Sequence, residues 1–230
     1  MAKSAERDSS FGPGLRALRD HIRPFVLIQV CVLAAVVAYY QVPSFAAFAG
    51  SLARAKDQGG LIFSFVSTMF AGMVLPEIFK IASNDPRRYS TRDLAYNGLV
   101  FGLNGIIVDL FYRFQGFVFG HETTFLIVAI KVAFDQLIAS PFLFNPFFVL
   151  MFLWREAKFK GSKFRELLRA TPYTQRLMPV LLVSWAYWIP ALCGVYALPA
   201  NLQFVLFLFI EAAWSLILLH ITKSMQEAEA

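Results

Sequence analysis

Charge is what this chain has least of. Only 16% of its 230 residues are Asp, Glu, Lys or Arg, against about 25% in soluble domains. A soluble helix needs a polar face, and the long apolar runs here lack one. Cysteine is also scarce. Cys31 and Cys193 lie in separate apolar stretches with no metal-type spacing, which argues against disulfides and zinc. There is no HExxH, GxSxG, P-loop or glycine-rich dinucleotide turn. His21, His121 and His220 are scattered near the ends of apolar runs. Asp109 and Asp135 suggest an aspartyl dyad, but they differ in depth by about 12 Å and lack flanking glycine motifs. The expectation is therefore no enzyme, no cofactor and no metal.

What is present is hydrocarbon. Hydrophobic residues make up 58% of the chain, Phe alone contributes 25, and the mean hydropathy is +0.58. Separate apolar runs longer than about 18 residues are membrane spans by length. The net charge of +6 resides in short segments between these runs, which is a membrane pattern and not a nucleic-acid one. The predicted fold is an all-α, multi-pass transmembrane helical bundle. Residues 1–23 form a polar basic segment, 24–222 the membrane domain, and 223–230 a short tail. Six spans are expected, at about 24–42, 59–82, 94–112, 123–154, 177–198 and 199–222. Residues 43–58, 113–122 and 155–176 are expected to connect them outside the membrane. The first run has no small-residue cleavage site after it and is read as a retained span. Glu6, Asp8 and Asp20 argue against an acid-poor mitochondrial presequence.

Orientation follows from Lys and Arg. With six alternating spans and the N-terminus inside, inner segments hold 17 of these residues and outer segments three: Arg54, Lys56 and Arg113. The positive-inside rule then puts both termini in the cytoplasm.

The fourth run is too long for one straight span. Its 32 residues would make a helix of about 48 Å, against about 30 Å of hydrocarbon. Pro141 and Pro146 remove backbone donors and predict a bend there. Lys131 and Asp135 are the only charges in this run and share a helix face. Asp135 and Glu211 fall at similar depth, about 18 Å from the outer ends of their spans. Lys131, Asp135, Gln136 and Glu211 are thus a candidate polar cluster near mid-membrane, with Asp109 above it. An unpaired central charge costs about 2.5–3.5 kcal/mol, so Lys131 is expected to bridge the two carboxylates. The cluster either lines a path or ties spans four and six together. Glu77, three residues before Lys80, reads as an interfacial carboxylate. Trp185, Trp188 and Trp214 read as packing or interface residues.

From about Thr91 onward the chain resembles the peroxisomal and mitochondrial membrane protein family, the Mpv-seventeen and peroxisomal membrane protein group. Lys131, Asp135, Gln136 and Pro141 match its lysine, Asp-Gln and proline spacing. Trp188-Ile189-Pro190 is a loosened form of its Trp-Pro motif. Leu198-Pro199 and Trp214 match its late proline and tryptophan, while Gln203 replaces its arginine. Gly98 and Tyr112 fit its glycine-rich span. The resemblance implies a small helical bundle in a bacterial inner membrane or, alternatively, a mitochondrial inner or peroxisomal membrane. It also implies a weakly selective pore for small solutes. The functional expectation is such a channel, and the alternative is a non-transporting structural or assembly protein. The partners expected are the lipid bilayer and small solutes, with homo-oligomers open and no nucleic acid.

Overall fold

The computed structural model describes residues 22–86, 88–170 and 173–229, with side chains described for all of these but 22–25, 173–180, 182, 183 and 217–229. The polar segment expected at 1–23 lies almost entirely outside the described residues. Every regular element described is helical. In chain order these are α1 (Ile22–Gln41), α2 (Pro43–Met69), a π segment (Phe70–Val74) and α3 (Leu75–Ala82). Then come α4 (Thr91–Phe119), α5 (Phe125–Phe134), a second π segment (Asp135–Phe144), α6 (Asn145–Glu156), α7 (Gly161–Ala170), α8 (Tyr173–Tyr196) and α9 (Ala200–Glu229). Among the described residues, three continuous helical stretches are long and apolar enough to cross a membrane: Pro43–Ala82, Thr91–Phe119 and Phe125–Glu156. Val26–Gln41 and Ala200–Leu216 are shorter apolar helices. Large apolar side chains face outward, Phe117 and Phe125 being 87% and 89% exposed. Lys56, Asn97, Asn104, Asp109, Lys131 and Glu211 are instead buried.

Four connections differ from expectation. Residues 43–58 are helical, because Arg54, Lys56 and Asp57 sit on one arm of α2 and not in a solvated loop. α4 runs on to Phe119, where Gly120 ends it at φ 85°. The basic segment 155–176 contains α7. The acidic tail continues α9 to Glu229.

The chain divides into two compact units. The larger comprises 23–133 and 190–230. Its centre is an antiparallel pairing of α2 with α4, the most extensive helix contact among the described residues. Small residues make it close. Gly98 seats Met69, Gly102 seats Phe65, Gly105 seats Ser64 and Thr68, and Gly72 of the first π segment seats Phe101. Close backbone approach of this kind is how membrane helices gain packing energy where lipid supplies no hydrophobic drive. α9 packs on α2, the first π segment, α3 and α4. α1 is tied to the same unit by Tyr40 Oη, which donates to the Ala197 carbonyl at 2.7 Å. α2 is not regular throughout. Gly60 has φ 52° and ψ −136°, a combination open only to glycine, and it separates the arm 43–59 from the span that follows.

The smaller unit described here covers 134–189. The bend expected at Pro141–Pro146 is answered by a change of helix type around Pro141 alone, since Pro146 lies in the first turn of the regular helix α6. The stretch Asp135–Phe144 is π-helical with Pro141 inside it. A π turn pairs residue i with i+5, so Pro141, having no N–H, strands the Gln136 carbonyl. The Trp185 indole N–H fills that gap, donating to Gln136 O at 2.9 Å. Asn145 secures the other end through Nδ2, which donates to Ser140 O at 3.0 Å and to its Oγ at 2.8 Å.

Candidate functional site

The polar centre of the larger unit is Asp109. It lies on the α4 face that meets α2 and is 1% exposed. Lys56 Nζ, from the α2 arm, is 2.8 Å from Oδ1. Ser64 Oγ, from beyond the Gly60 break, donates to Oδ2 at 2.7 Å. Arg113, one turn further along α4, donates from Nε to Oδ1 at 3.0 Å and from Nη2 to Oδ2 at 3.2 Å. Four donors therefore satisfy one carboxylate. Two cations face this carboxylate, and Asp57 lies close enough to Arg113 to interact with it electrostatically, so the formal charges of the group balance. Ser64 Oγ also reaches the Gly60 carbonyl at 3.2 Å, and Lys56 lies 5.8 Å from the Phe204 ring of α9. Lys56 and Ser64 flank the Gly60 break and converge on the same carboxylate. The site is thus built on a discontinuity inside a membrane-length helix.

A second closed group sits at the other end of that helical stretch. Glu77 Oε2 is 3.2 Å from Lys80 Nζ, and the Tyr89 backbone N–H donates to Glu77 Oε1 at 3.1 Å. Lys80 Nζ stands 3.7 Å above the Tyr89 ring. Glu77 and Lys80 are both buried, so the carboxylate read as interfacial is paired and enclosed.

The residues singled out from sequence are distributed differently from the expected cluster. Lys131, Gln136, Asp135 and Glu211 are all buried. Lys131 and Glu211 belong to the larger unit and Asp135 and Gln136 to the smaller. Gln136 Nε2 donates to Asp135 Oδ1 at 2.9 Å. Lys131 and Glu211 form no ion pair with one another among the described residues, so equal depth did not amount to contact. Gln203 donates to the Leu198 carbonyl at 3.1 Å. Of the other motif positions, Pro141 lies in the π segment, Trp188 packs edge-on against Tyr187, Pro190 is an exposed residue of α8, and Pro199 precedes α9. Trp214 is half-buried on α9. Lys131 has no hydrogen bond or ion pair among the described residues. Lys131→Met is therefore expected to be neutral or stabilising, by up to about 2–3 kcal/mol, since it removes an unpaired charge from depth. Unfolding in mixed micelles checks this, and a marked loss of stability would reveal a cationic role.

Sequence reasoning missed a polar stripe on α4. Asn97, Asn104 and Gln115 share one face and are all buried. They extend over 18 residues, about 27 Å of helix, close to the thickness of the hydrocarbon core. Gln115 Nε2 donates to Tyr196 Oη at 2.9 Å. The side-chain oxygens of Asn104 and Gln115, and nearby Thr68 Oγ1, have no hydrogen-bond partner among the described residues. Amides spaced seven and then eleven residues apart in an apolar run, which keeps them on one helix face, were the available signal. Lys56 gave none, because its partner is 53 positions away in the chain. No protein-family model, curated protein or solved structure matches this chain.

Proposed function

We propose that the protein is a six-span integral membrane protein, with both termini cytoplasmic, that provides a weakly selective pathway for small solutes. The observation that carries this reading is the break at Gly60 beside the Lys56–Asp109–Ser64–Arg113 group. Interrupted helices with charges gathered at the interruption are how many membrane transporters build a polar site at depth. Asn104 and Gln115 of the amide stripe supply acceptors, unpaired among the described residues, about 16 Å apart along α4. Ionisable groups placed this deep are expensive and mark function by default. The balanced charges of Lys56, Arg113, Asp109 and Asp57 fit a weakly selective path better than one tuned to ions of one sign. The six-span count and the orientation rest on the distribution of basic residues. A bacterial inner membrane is the preferred setting, and kinship with the peroxisomal and mitochondrial membrane protein family rests on the motif spacing alone.

A second reading has its own support. The four donors around Asp109 leave its carboxylate fully paired, and the cavity of about 460 Å³ between α1, α2 and α9 is lined by apolar side chains. A protein that only stabilises or assembles membrane components needs no more than such closed pairs.

Reconstitution separates the two. Purified protein in liposomes is expected to pass chloride and a small polyol faster than protein-free liposomes. Asn104→Leu with Gln115→Leu keeps the fold and lowers that flux at least about tenfold, the equivalent of roughly 1.4 kcal/mol in barrier. Flux no higher than in empty liposomes would select the structural reading.

A further inference from the structure

The segment joining α6 to α8 was accounted for by topology alone, yet it holds a shaped surface. α7 has Phe164, Leu167 and Leu168 at i, i+3 and i+4, and all three are half-buried. Lys163 and Arg165 flank that apolar face on either side, and Ser162, Glu166 and Arg169 occupy the opposite one. No residue of α7 is fully buried. Its apolar face is only partly covered, by the Trp154 ring at 5.3 Å from the Phe164 ring. Trp154 also contacts Phe159 edge-on at 6.4 Å, so three aromatic rings cluster where the apolar α6 ends.

The turn into α7 is fixed. Lys158 and Phe159 both have positive φ, 51° and 61°, which non-glycine residues seldom adopt. Their backbone N–H groups are nonetheless paired, Lys158 with Arg155 O at 2.9 Å and Phe159 with Trp154 O at 3.2 Å. The latter spans six residues, as in a Schellman helix stop. The Lys160 N–H adds a bond to Ala157 O at 3.1 Å. α7 therefore leaves the end of α6 in a defined direction, beside the aromatic cluster.

We infer that α7 and its entry turn form a binding surface for anionic phospholipid. The apolar face enters the boundary between headgroups and acyl chains, and Lys158, Lys160, Lys163 and Arg165 meet the phosphates. Three features select this occupant. The basic residues flanking the apolar face have stems long enough to lie along hydrocarbon while their charges reach the phosphate level. Trp and other aromatic rings at the end of an apolar helix mark the interface. A short helix that is strongly basic on one side and apolar on the other lies in the membrane surface and prefers anionic lipid. Glu166 is the single acid on α7, and it points away from the apolar face.

The test uses full-length protein with Cys31→Ser and Cys193→Ser, carrying a bimane on Leu168→Cys or on Glu166→Cys. Each is reconstituted in mixed phosphatidylcholine and phosphatidylglycerol vesicles. The nitroxide quencher is placed near the headgroup of one lipid or of the other. At position 168, quenching by labelled phosphatidylglycerol should exceed that by labelled phosphatidylcholine by at least about fivefold, the worth of one basic side chain near the surface. At position 166 quenching should be weak with both. Lys163→Glu with Arg165→Glu should abolish the preference, and so should high salt on the wild-type sequence. Equal quenching by the two lipids at position 168 would overturn the inference, as would equal quenching at positions 168 and 166.

Discussion

Asp109→Ala is expected to destabilise the protein by about 3–5 kcal/mol, the usual result of removing one partner from a buried ion pair. The reason is what remains. Lys56, nearly buried, loses its anion, and Ser64 Oγ loses an acceptor at 2.7 Å. Arg113 matters less. Its side chain is 54% exposed, so its share is of the order of a surface pair, about 1 kcal/mol or below. Adding Lys56→Met should recover most of the loss, because replacing a whole buried pair by apolar groups is often nearly neutral. Unfolding in mixed micelles of the two single variants and the double variant measures the coupling. A cost under about 1 kcal/mol for Asp109→Ala would mean that the group is solvated, in conflict with its burial. If the group also forms part of a solute path, the stable double variant changes ion preference in liposomes.

Gly105→Ala should be comparably damaging, although it adds one methyl group. A Cβ at Gly105 would overlap the Ser64 backbone carbonyl and the Thr68 side chain. A backbone carbonyl inside a helix cannot turn aside, so α2 and α4 must separate. Overpacking typically costs about 1–3 kcal/mol, and this site belongs at the upper end or beyond. The same displacement pulls Ser64 from Asp109. Gly105→Ala and Asp109→Ala should therefore be less than additive in stability. Gly161→Ala is the control. A Cβ there meets no atom within 4 Å, so stability should move by no more than about 0.5 kcal/mol. Equal effects at the two glycines would show that the α2–α4 approach does not set the cost, since Gly→Ala by itself favours the helix.

The helices were legible in the sequence because apolar runs of membrane length leave few alternatives. Gly59–Gly60 was read as the start of a span, and the backbone does break there. The irregularity at Pro141 was also legible, since a missing donor has a fixed local consequence. The site was not. Lys56 stands among Arg54 and Asp57, a stretch whose charges read as solvated, and only tertiary packing turns it inward. Asp109 was placed one turn from the end of a span, but α4 continues ten residues beyond it through Arg113 and Gln115. Those two polar residues look like a connection in sequence, whereas one pairs with Asp109 and the other is buried. Lys131 and Glu211 were brought together by depth alone, and depth says nothing about which way a side chain faces.

The two π segments bear on how this chain tolerates changes in length. In an α-helix, losing or gaining one residue rotates everything downstream by about 100°, which would carry Asp109-type side chains from the interior to lipid. A π turn already holds one residue more than an α turn. Shortening Phe70–Val74 or Asp135–Phe144 by one residue relaxes the local turn toward α geometry and leaves the flanking faces where they are. Single-residue deletions among homologous chains should therefore gather in these two stretches, and the helical phase on either side should persist across them.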